Sequence, residues 1–201
     1  MKRIVLLTVA SFLAFGITAG AQGLGVNAGV NFFNQTRKSN GNKVDDLKML
    51  TGFHIGVDYE IGVAPDFYFA PGLQFSTKGT NIDFVETKAV LNYFEVPLNL
   101  VYKPLLGDGN LIVNFGPYLG YAISGKYKDD IADTDIEFGS GEDDDFKPFD
   151  MGANIGFGYQ LGMGLSFKLN AQLGLINILP DGDSDNLVKN NGFAFSVGYR
   201  F

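Results

Sequence analysis

The sequence contains no cysteine, no tryptophan and only one histidine in its 201 residues. Without cysteine the chain can form neither a disulfide framework nor a thiolate metal site. Basic residues are also scarce, because 15 Lys and Arg stand against 22 Asp and Glu and leave a formal net charge of -7. Nucleic-acid binding needs a basic face, so we expect no nucleic-acid partner. We expect no cofactor either.

The first 21 residues have the pattern of a cleaved secretory signal peptide. Lys2 and Arg3 precede a run of apolar residues, and a small-residue A-x-A site follows and ends at Ala21. An uncleaved membrane anchor, the alternative, needs about 20 apolar residues, which is more than this run provides. Cleavage leaves residues 22–201 as one domain. It also removes two of the 15 basic residues, so that 13 remain against 22 acidic ones and the net charge becomes -9.

The rest of the chain lacks any apolar run long enough for a membrane helix, and shows strict alternation instead. Successive side chains of a strand face opposite ways, so alternation predicts strands with one apolar face and one small or polar face. The last nine residues show it best, with large apolar side chains at every second position: Phe193, Phe195, Val197, Tyr199 and Phe201. Seven further segments alternate similarly, near 24–32, 53–61, 67–78, 89–103, 111–124, 151–159 and 165–175.

The number of strands and the lengths of their connections predict an all-β fold, an eight-stranded antiparallel up-and-down transmembrane β-barrel. Strands of about nine residues or more can cross a bilayer at a tilt, and closed bacterial barrels have an even number of strands. Long polar connections fall near 34–48, 79–88, 126–148 and 178–191, and tight turns near 63–66, 105–109 and 162–164. Long loops at one end and short turns at the other are typical of outer-membrane barrels.

Residue size decides which face points inward. An eight-stranded barrel has room for little more than its own side chains. Small and polar residues suit that interior, whereas the Phe, Leu, Ile and Val face suits lipid, and this arrangement also explains the glycines inside the strands. A secreted soluble barrel or sandwich is the alternative. Heat-modifiable migration on a gel would separate the two.

Two segments resemble known outer-membrane sequences. The C-terminal segment from Phe193 to Phe201 is similar to the signal, ending in an aromatic residue, that the barrel-assembly machinery recognises. Tyr93-Phe94-Glu95-Val96-Pro97-Leu98 resembles the Y-x-E-[IV]-P-L element of the PorT-like outer-membrane β-barrel family of Bacteroidetes-type bacteria. Pro71-Gly72-Leu73 through Lys78-Gly79 resembles the strand before it. The resemblance implies an eight-stranded barrel in the outer membrane, in contact with lipid and lipopolysaccharide, but no particular function.

The alternation also predicts which charged residues point into the barrel. The predicted lumen network consists of His54, Asp58, Glu60, Lys78, Glu95, Lys103, Lys168 and Arg200. Buried charges must be paired, so we expect internal salt bridges that plug the lumen. A narrow ion path, which opens when those pairs exchange partners, is the alternative.

The sequence also offers residues for two other kinds of site, a serine hydrolase site and an acidic binding site. His54 and the inward candidates Ser76, Ser124, Ser166 and Ser196 could form the serine and histidine pair of a lipid hydrolase, but no nucleophile motif is present and a third group must orient the base. We therefore expect no enzyme. The acidic segment within 126–148 could hold a divalent cation or an unknown protein partner, and Asp181, Asp183 and Asp185 also alternate. The helix-loop-helix calcium pattern fails, because Gly192 stands where it needs Glu.

Three functional classes remain open. A structural or interaction protein that displays loops from a filled barrel is our first expectation, because eight strands leave little open lumen. A narrow pore or small-solute transporter is the second, and a lipid-modifying enzyme is a distant third.

Overall fold

The computed structural model describes residues 23–45, 47–82, 87–129, 132–141 and 143–201. The predicted signal peptide lies outside these residues. Twelve β-strands occur in the described part of the chain: β1 (Leu24–Ser39), β2 (Asn42–Lys43), β3 (Leu47–Tyr59), β4 (Ile61–Ala64), β5 (Phe67–Ile82), β6 (Thr87–Tyr102), β7 (Leu105–Leu106), β8 (Gly109–Lys128), β9 (Asp133–Asp135), β10 (Phe149–Leu161), β11 (Leu165–Gly174) and β12 (Leu187–Arg200). Within the same residues, no helix has the length and apolar character needed to span a membrane.

The long strands close into a barrel, as predicted. Eight of them form the wall, namely β1, β3, β5, β6, β8, β10, β11 and β12, each antiparallel to its neighbours. β12 returns to pair with β1, from Gly25 opposite Arg200 to Lys38 opposite Leu187, and this pairing closes the cylinder. β4 continues the wall beyond β3 by pairing with β5. Closure removes the unpaired strand edges that hydrocarbon would not tolerate.

The predicted alternation is visible on the surface of the barrel. On β10, Ile155 and Phe157 are about 60% exposed, at 59% and 60%, whereas Gly156 between them is buried. The outside of the wall is therefore a continuous apolar surface, and the inside takes the small and polar residues. This is the arrangement of a barrel that sits in lipid.

The strands extend further than their alternation predicts. The connection predicted near 34–48 shrinks to a short hairpin after Ser39, and β12 begins at Leu187 instead of near Phe193. The added pairs carry polar residues, as in Gln35 opposite Asn190. In this extension polar side chains also stand on the outward face, as Lys189 and Asn191 do, so the alternation disappears although backbone pairing continues. A search for alternation therefore misses these strand ends.

One inward prediction is wrong for a local reason. The pairing between β6 and β8 shifts register between Asn92 and Tyr93, because Asn92 faces Ser124 and Tyr93 faces Ala122. The extra residue on β8 reverses the alternation above it. Ser124 is consequently exposed, and it accepts a hydrogen bond from the Asn92 side chain at 3.1 Å.

Candidate functional site

The barrel lumen is the candidate functional site, and it has two distinct ends. The turn end carries the tight connections between strands, together with Phe201, whose backbone N–H donates to the carbonyl of Leu24. The loop end carries the connections 129–148 and 175–186. Three layers of side chains lie between them: an ion-pair cluster near the loop end, a belt of neutral polar groups, and a second ion-pair cluster at the turn end.

The first ion-pair cluster, called the upper cluster below, consists of Lys78, Glu95 and Asp150. The Lys78 ammonium lies 2.5 Å from Glu95 Oε1 and 3.3 Å from Asp150 Oδ2. The Tyr118 hydroxyl donates to the same Asp150 oxygen at 3.2 Å, and the centroid of the Tyr118 ring lies 4.2 Å from Lys78 Nζ. The three charged side chains are 0–1% exposed. They form a dry ion-pair triad held by β5, β6 and β10.

Asp150 completes this cluster, and sequence reasoning missed it. The predicted strand starts at Met151, two positions after the observed start at Phe149. Asp150 nevertheless has the same parity as Gly152 and Asn154, which were assigned to the inner face. Extending the alternation by a single residue would have placed Asp150 in the lumen.

The second ion-pair cluster, called the lower cluster, consists of Arg200, Asp58, Glu60 and Lys103. Arg200 Nη2 lies 2.6 Å from Asp58 Oδ2 and 2.8 Å from Glu60 Oε1, and Lys103 Nζ lies 2.7 Å from Glu60 Oε2. The exposed fractions of the Arg200 and Asp58 side chains are 14% and 15%. The lower cluster therefore touches solvent at the turn end.

Among the Lys, Arg, Asp and Glu members of the predicted network, Lys168 alone has no ion pair within the described residues. No hydrogen bond or ion pair joins its ammonium to another side chain in the described ranges. With Lys168 included, the lumen charges of the two clusters balance, with four acids and four bases: Asp58, Glu60, Glu95 and Asp150 against Lys78, Lys103, Lys168 and Arg200. A balanced lumen avoids a net buried charge, although Lys168 stays unpaired.

The polar belt between the clusters centres on His54, which uses both ring nitrogens. Nδ1 lies 2.7 Å from Asn31 Oδ1, and Nε2 lies 2.9 Å from Ser196 Oγ. Asn31 also donates to Ser76 Oγ at 3.0 Å. His54, Asn31 and Ser196 are at most 2% exposed. The structure thus brings His54 together with two of the predicted inward serines, Ser76 through Asn31 and Ser196 directly.

A cavity of about 100 Å³ runs beside this belt toward the lower cluster. Its wall includes His54, Ser196, Ser166 and Lys168, and it extends to Arg200. Several amide oxygens in the wall have no hydrogen-bond partner among the described atoms, namely those of Asn99, Asn114 and Gln172. Buried polar atoms of this kind require a partner, so the cavity is suited to water or a small polar molecule.

Above the upper cluster, the inward side chains become apolar and form a cap. The described residues of the connections between β8 and β10 and between β11 and β12 lie over the mouth and pack their side chains against the upper wall. The buried members are Leu91, Tyr93, Ala122, Ile136, Phe146, Ile178 and Val188. Backbone hydrogen bonds hold the cap in place, as in Lys147 N to Ile178 O at 2.7 Å. The loop end is therefore closed by a small hydrophobic core, which the sequence analysis did not predict.

The acidic connections show no cation site in the described part of the chain. No group of three or more His, Cys, Asp or Glu side chains there could hold a metal ion. Asp183 Oδ1 instead accepts the backbone N–H groups of Asp185 and Asn186, at 2.9 and 2.8 Å. These bonds lower the pKa of the Asp183 carboxyl. Glu142 and residues 130–131 of the acidic segment lie outside the described ranges.

Comparisons with known proteins agree with this geometry. The family model described as outer membrane protein beta-barrel domain matches residues 19–179. Neisserial surface protein A is similar in structure, with a TM-score of 0.52, 12% identity, and coverage of 91% of this chain and 100% of that chain. The outer membrane enzyme PagL is similar too, with a TM-score of 0.55, 10% identity, and coverage of 88% of this chain and 99% of that chain. No curated protein sequence matches the chain.

The structural likenesses concern the fold alone. Because one of these barrels is an enzyme, the fold does not by itself exclude catalysis. The expectation of a chain without enzymatic activity therefore stays a prediction, as does the role of the C-terminal aromatic residues in barrel assembly.

Proposed function

This chain belongs to the outer membrane protein beta-barrel domain family and resides in the outer membrane, and from that premise we propose a structural or interaction role without ion conduction. In such barrels the short turns are periplasmic and the long loops extracellular. The loop end, with its acidic connections, then faces the outside of the cell. The barrel holds these loops in place, and the proposed role itself needs no catalysis.

The observation that carries this proposal is the double closure at the loop end. The apolar cap excludes water from the mouth, and the upper cluster beneath it fills the lumen with side chains that are at most 1% exposed. An ion crossing here would have to displace packed apolar side chains and separate a buried triad. Separating buried charges is costly, because each loses its partner without gaining water.

Planar-bilayer conductance tests the closure. We expect the folded protein to give no stepwise conductance, and the Glu95→Gln variant, which removes one carboxylate of the upper cluster, to remain silent as well. Glu60→Gln is the matched control, because it makes the same chemical change in the lower cluster, away from the closed loop end. The alternative, a narrow pore or small-solute transporter, would be established if the wild-type protein gave regular conductance steps and the Glu95→Gln variant gave steps of a different size.

The display role has a separate test. An epitope inserted after Ser140, an exposed position in the connection 129–148, should bind antibody on intact cells. The same epitope inserted in the exposed turn at Asp108 should bind only after the outer membrane is opened. The reverse result would show that the barrel has the opposite orientation and would remove the basis for display.

Partners follow from the location. We infer contact of the apolar wall with outer-membrane lipid and lipopolysaccharide, and recognition of the C-terminal aromatic residues by the barrel-assembly machinery during insertion. Tyr93 to Leu98 supports a place in the PorT-like branch of such barrels. We also infer that the acidic segment within 126–148 binds a protein or a divalent cation, which capture experiments with the intact loop would test.

A further inference from the structure

The display role makes no use of the hydrogen-bonded trio in the cavity wall. Ser196, His54 and Asn31 come from three neighbouring strands, β12, β3 and β1, and form a chain from hydroxyl to imidazole to amide. Their contacts of 2.9 and 2.7 Å lie within the range required between a nucleophile, its base and the group that orients the base. The third group, which the sequence could not supply, is Asn31.

The hydrogen bonds of Asn31 determine which ring nitrogen of His54 carries the proton. Asn31 Nδ2 faces the carbonyl oxygens of Phe53 and Thr77, at 3.0 and 3.1 Å, and these can only accept. Its amide oxygen must therefore face His54 Nδ1, which has to be the protonated nitrogen of the neutral ring. Nε2 is left with a lone pair that accepts the Ser196 hydroxyl. This is the tautomer that a serine nucleophile requires.

Lys168 provides a positive charge beside this hydroxyl. In the pairing of β11 with β12 it stands directly opposite Ser196, and both side chains border the cavity. As described above, its ammonium has no acceptor among the described side chains. The carboxylates of Asp58 and Glu60 are near enough for their charges to act on this ammonium, but neither forms an ion pair with it. Next to a nucleophile, however, it could stabilise the negative charge that develops on an attacked carbonyl oxygen.

The cavity communicates with the periplasmic side. Its wall reaches Arg200, and the Arg200 and Asp58 side chains retain solvent exposure, in contrast to the sealed upper cluster. A volume of about 100 Å³ is smaller than the cavity of about 150 Å³ that holds a benzene molecule. Only a small substrate could therefore enter, such as the ester of a short acyl group.

We propose that Ser196 is an activated nucleophile and that the lumen cavity hydrolyses small carboxylic esters entering from the periplasm. Ser196 Oγ forms a bond to the carbonyl carbon while its proton passes to His54 Nε2, and the new oxyanion faces Lys168. When this tetrahedral intermediate collapses, the bond between the carbonyl carbon and the ester oxygen breaks. The alkoxide takes the proton from His54 and leaves as the alcohol. A water molecule then attacks the carbonyl carbon of the acyl-serine and gives one proton to His54 Nε2. The carbon–Oγ bond breaks, Ser196 Oγ takes the proton back from His54, and the carboxylic acid is released. Asn31 is a positioning residue.

The first test uses methanesulfonyl fluoride, which has fewer non-hydrogen atoms than benzene, on the complete mature protein folded in detergent micelles. Ser196 Oγ displaces fluoride, an oxygen–sulfur bond forms, and the hydroxyl proton leaves through His54. We expect one methanesulfonyl group per molecule, located on Ser196 by peptide mapping. Ser166 lines the same cavity without a histidine contact and is an internal control in the same molecule. Absence of an adduct on Ser196, or equal modification of Ser166, overturns the proposal.

Variants and turnover complete the test. Ser196→Ala should abolish labelling, and His54→Gln should slow it by at least about 100-fold, the usual contribution of a general base. Ser124→Ala, which changes an exposed serine outside the cavity, should leave labelling at the wild-type rate. Heat-modifiable migration reports whether each variant folds. Acetate release from methyl acetate, followed by NMR, should stop after labelling. Labelling that His54→Gln leaves unchanged, or no acetate release by the wild type, would show that the trio is only structural.

Discussion

The upper and lower clusters use the same chemistry in different surroundings. Each joins a cation to two carboxylates, Lys78 to Glu95 and Asp150, and Arg200 to Asp58 and Glu60. The upper side chains are at most 1% exposed beneath an apolar cap, whereas Arg200 and Asp58 keep about 15% of their exposure, at 14% and 15%. The difference teaches that pairing alone does not seal a lumen. The exclusion of water around the pair does.

The largest effect should come from removing the cation of the upper cluster. Lys78→Met leaves two buried carboxylates without a cation, with only neutral donors such as the Tyr118 hydroxyl beside Asp150. We expect the free energy of unfolding to fall by about 3–5 kcal/mol, the usual cost of breaking a buried pair from one side. Urea unfolding of the protein in lipid vesicles measures it.

A compensated variant sharpens this result. Neutralising the whole triad with Lys78→Met, Glu95→Gln and Asp150→Asn removes the stranded charges, so most of the lost stability should return. If the triple variant is as unstable as Lys78→Met alone, packing and not charge explains the loss, and the contrast between the two clusters fails.

A smaller effect is expected when the cap above the upper cluster is weakened. Phe146 is 2% exposed at the centre of the cap, and the Arg37 guanidinium lies 5.8 Å from its ring. Phe146→Ala should destabilise the cap locally by about 2–4 kcal/mol, somewhat below the cost of the same change in a domain core. Hydrogen exchange should accelerate at 132–141 and 143–148 and remain unchanged in β11. Unchanged exchange in the loop would mean that the cap does not depend on Phe146.

The smallest effect should follow loss of the lower cation. Arg200→Met leaves Asp58 and Glu60 with partial access to water, so we expect a loss of about 1–2 kcal/mol, between the values for exposed and buried pairs. Since salt screens accessible charges more strongly, 1 M salt should shrink the difference between wild type and Arg200→Met. The corresponding difference for Lys78→Met should not change. Equal salt sensitivity of both would contradict the assignment of one sealed and one accessible cluster.

The alternation of single strands predicts an inner face of small and polar residues, and the structure buries Lys78 and Glu95. Lys78, Glu95 and Arg200 are predicted in the lumen because each has the parity opposite to the large apolar face of its strand. The prediction went wrong at Ser124, where a bulge reverses the parity, and stopped short of Asp150, where the alternation was not followed to the end of the strand. The sequence did not predict the apolar cap, because Ile136, Phe146 and Ile178 lie in connections without any periodic pattern.

The sequence by itself determined the alternating strands and, except beyond the bulge at Ser124, which of their side chains share a face, because a period of two is a local property of each strand. Only the tertiary structure decided which lumen residues meet. Lys78 reaches Asp150 across 72 residues and Ser196 reaches His54 across 142. Those contacts depend on the stagger between strands around the cylinder, which no single strand encodes. The same holds for the folding of two irregular loops into the mouth, since their burial depends on the wall that surrounds them.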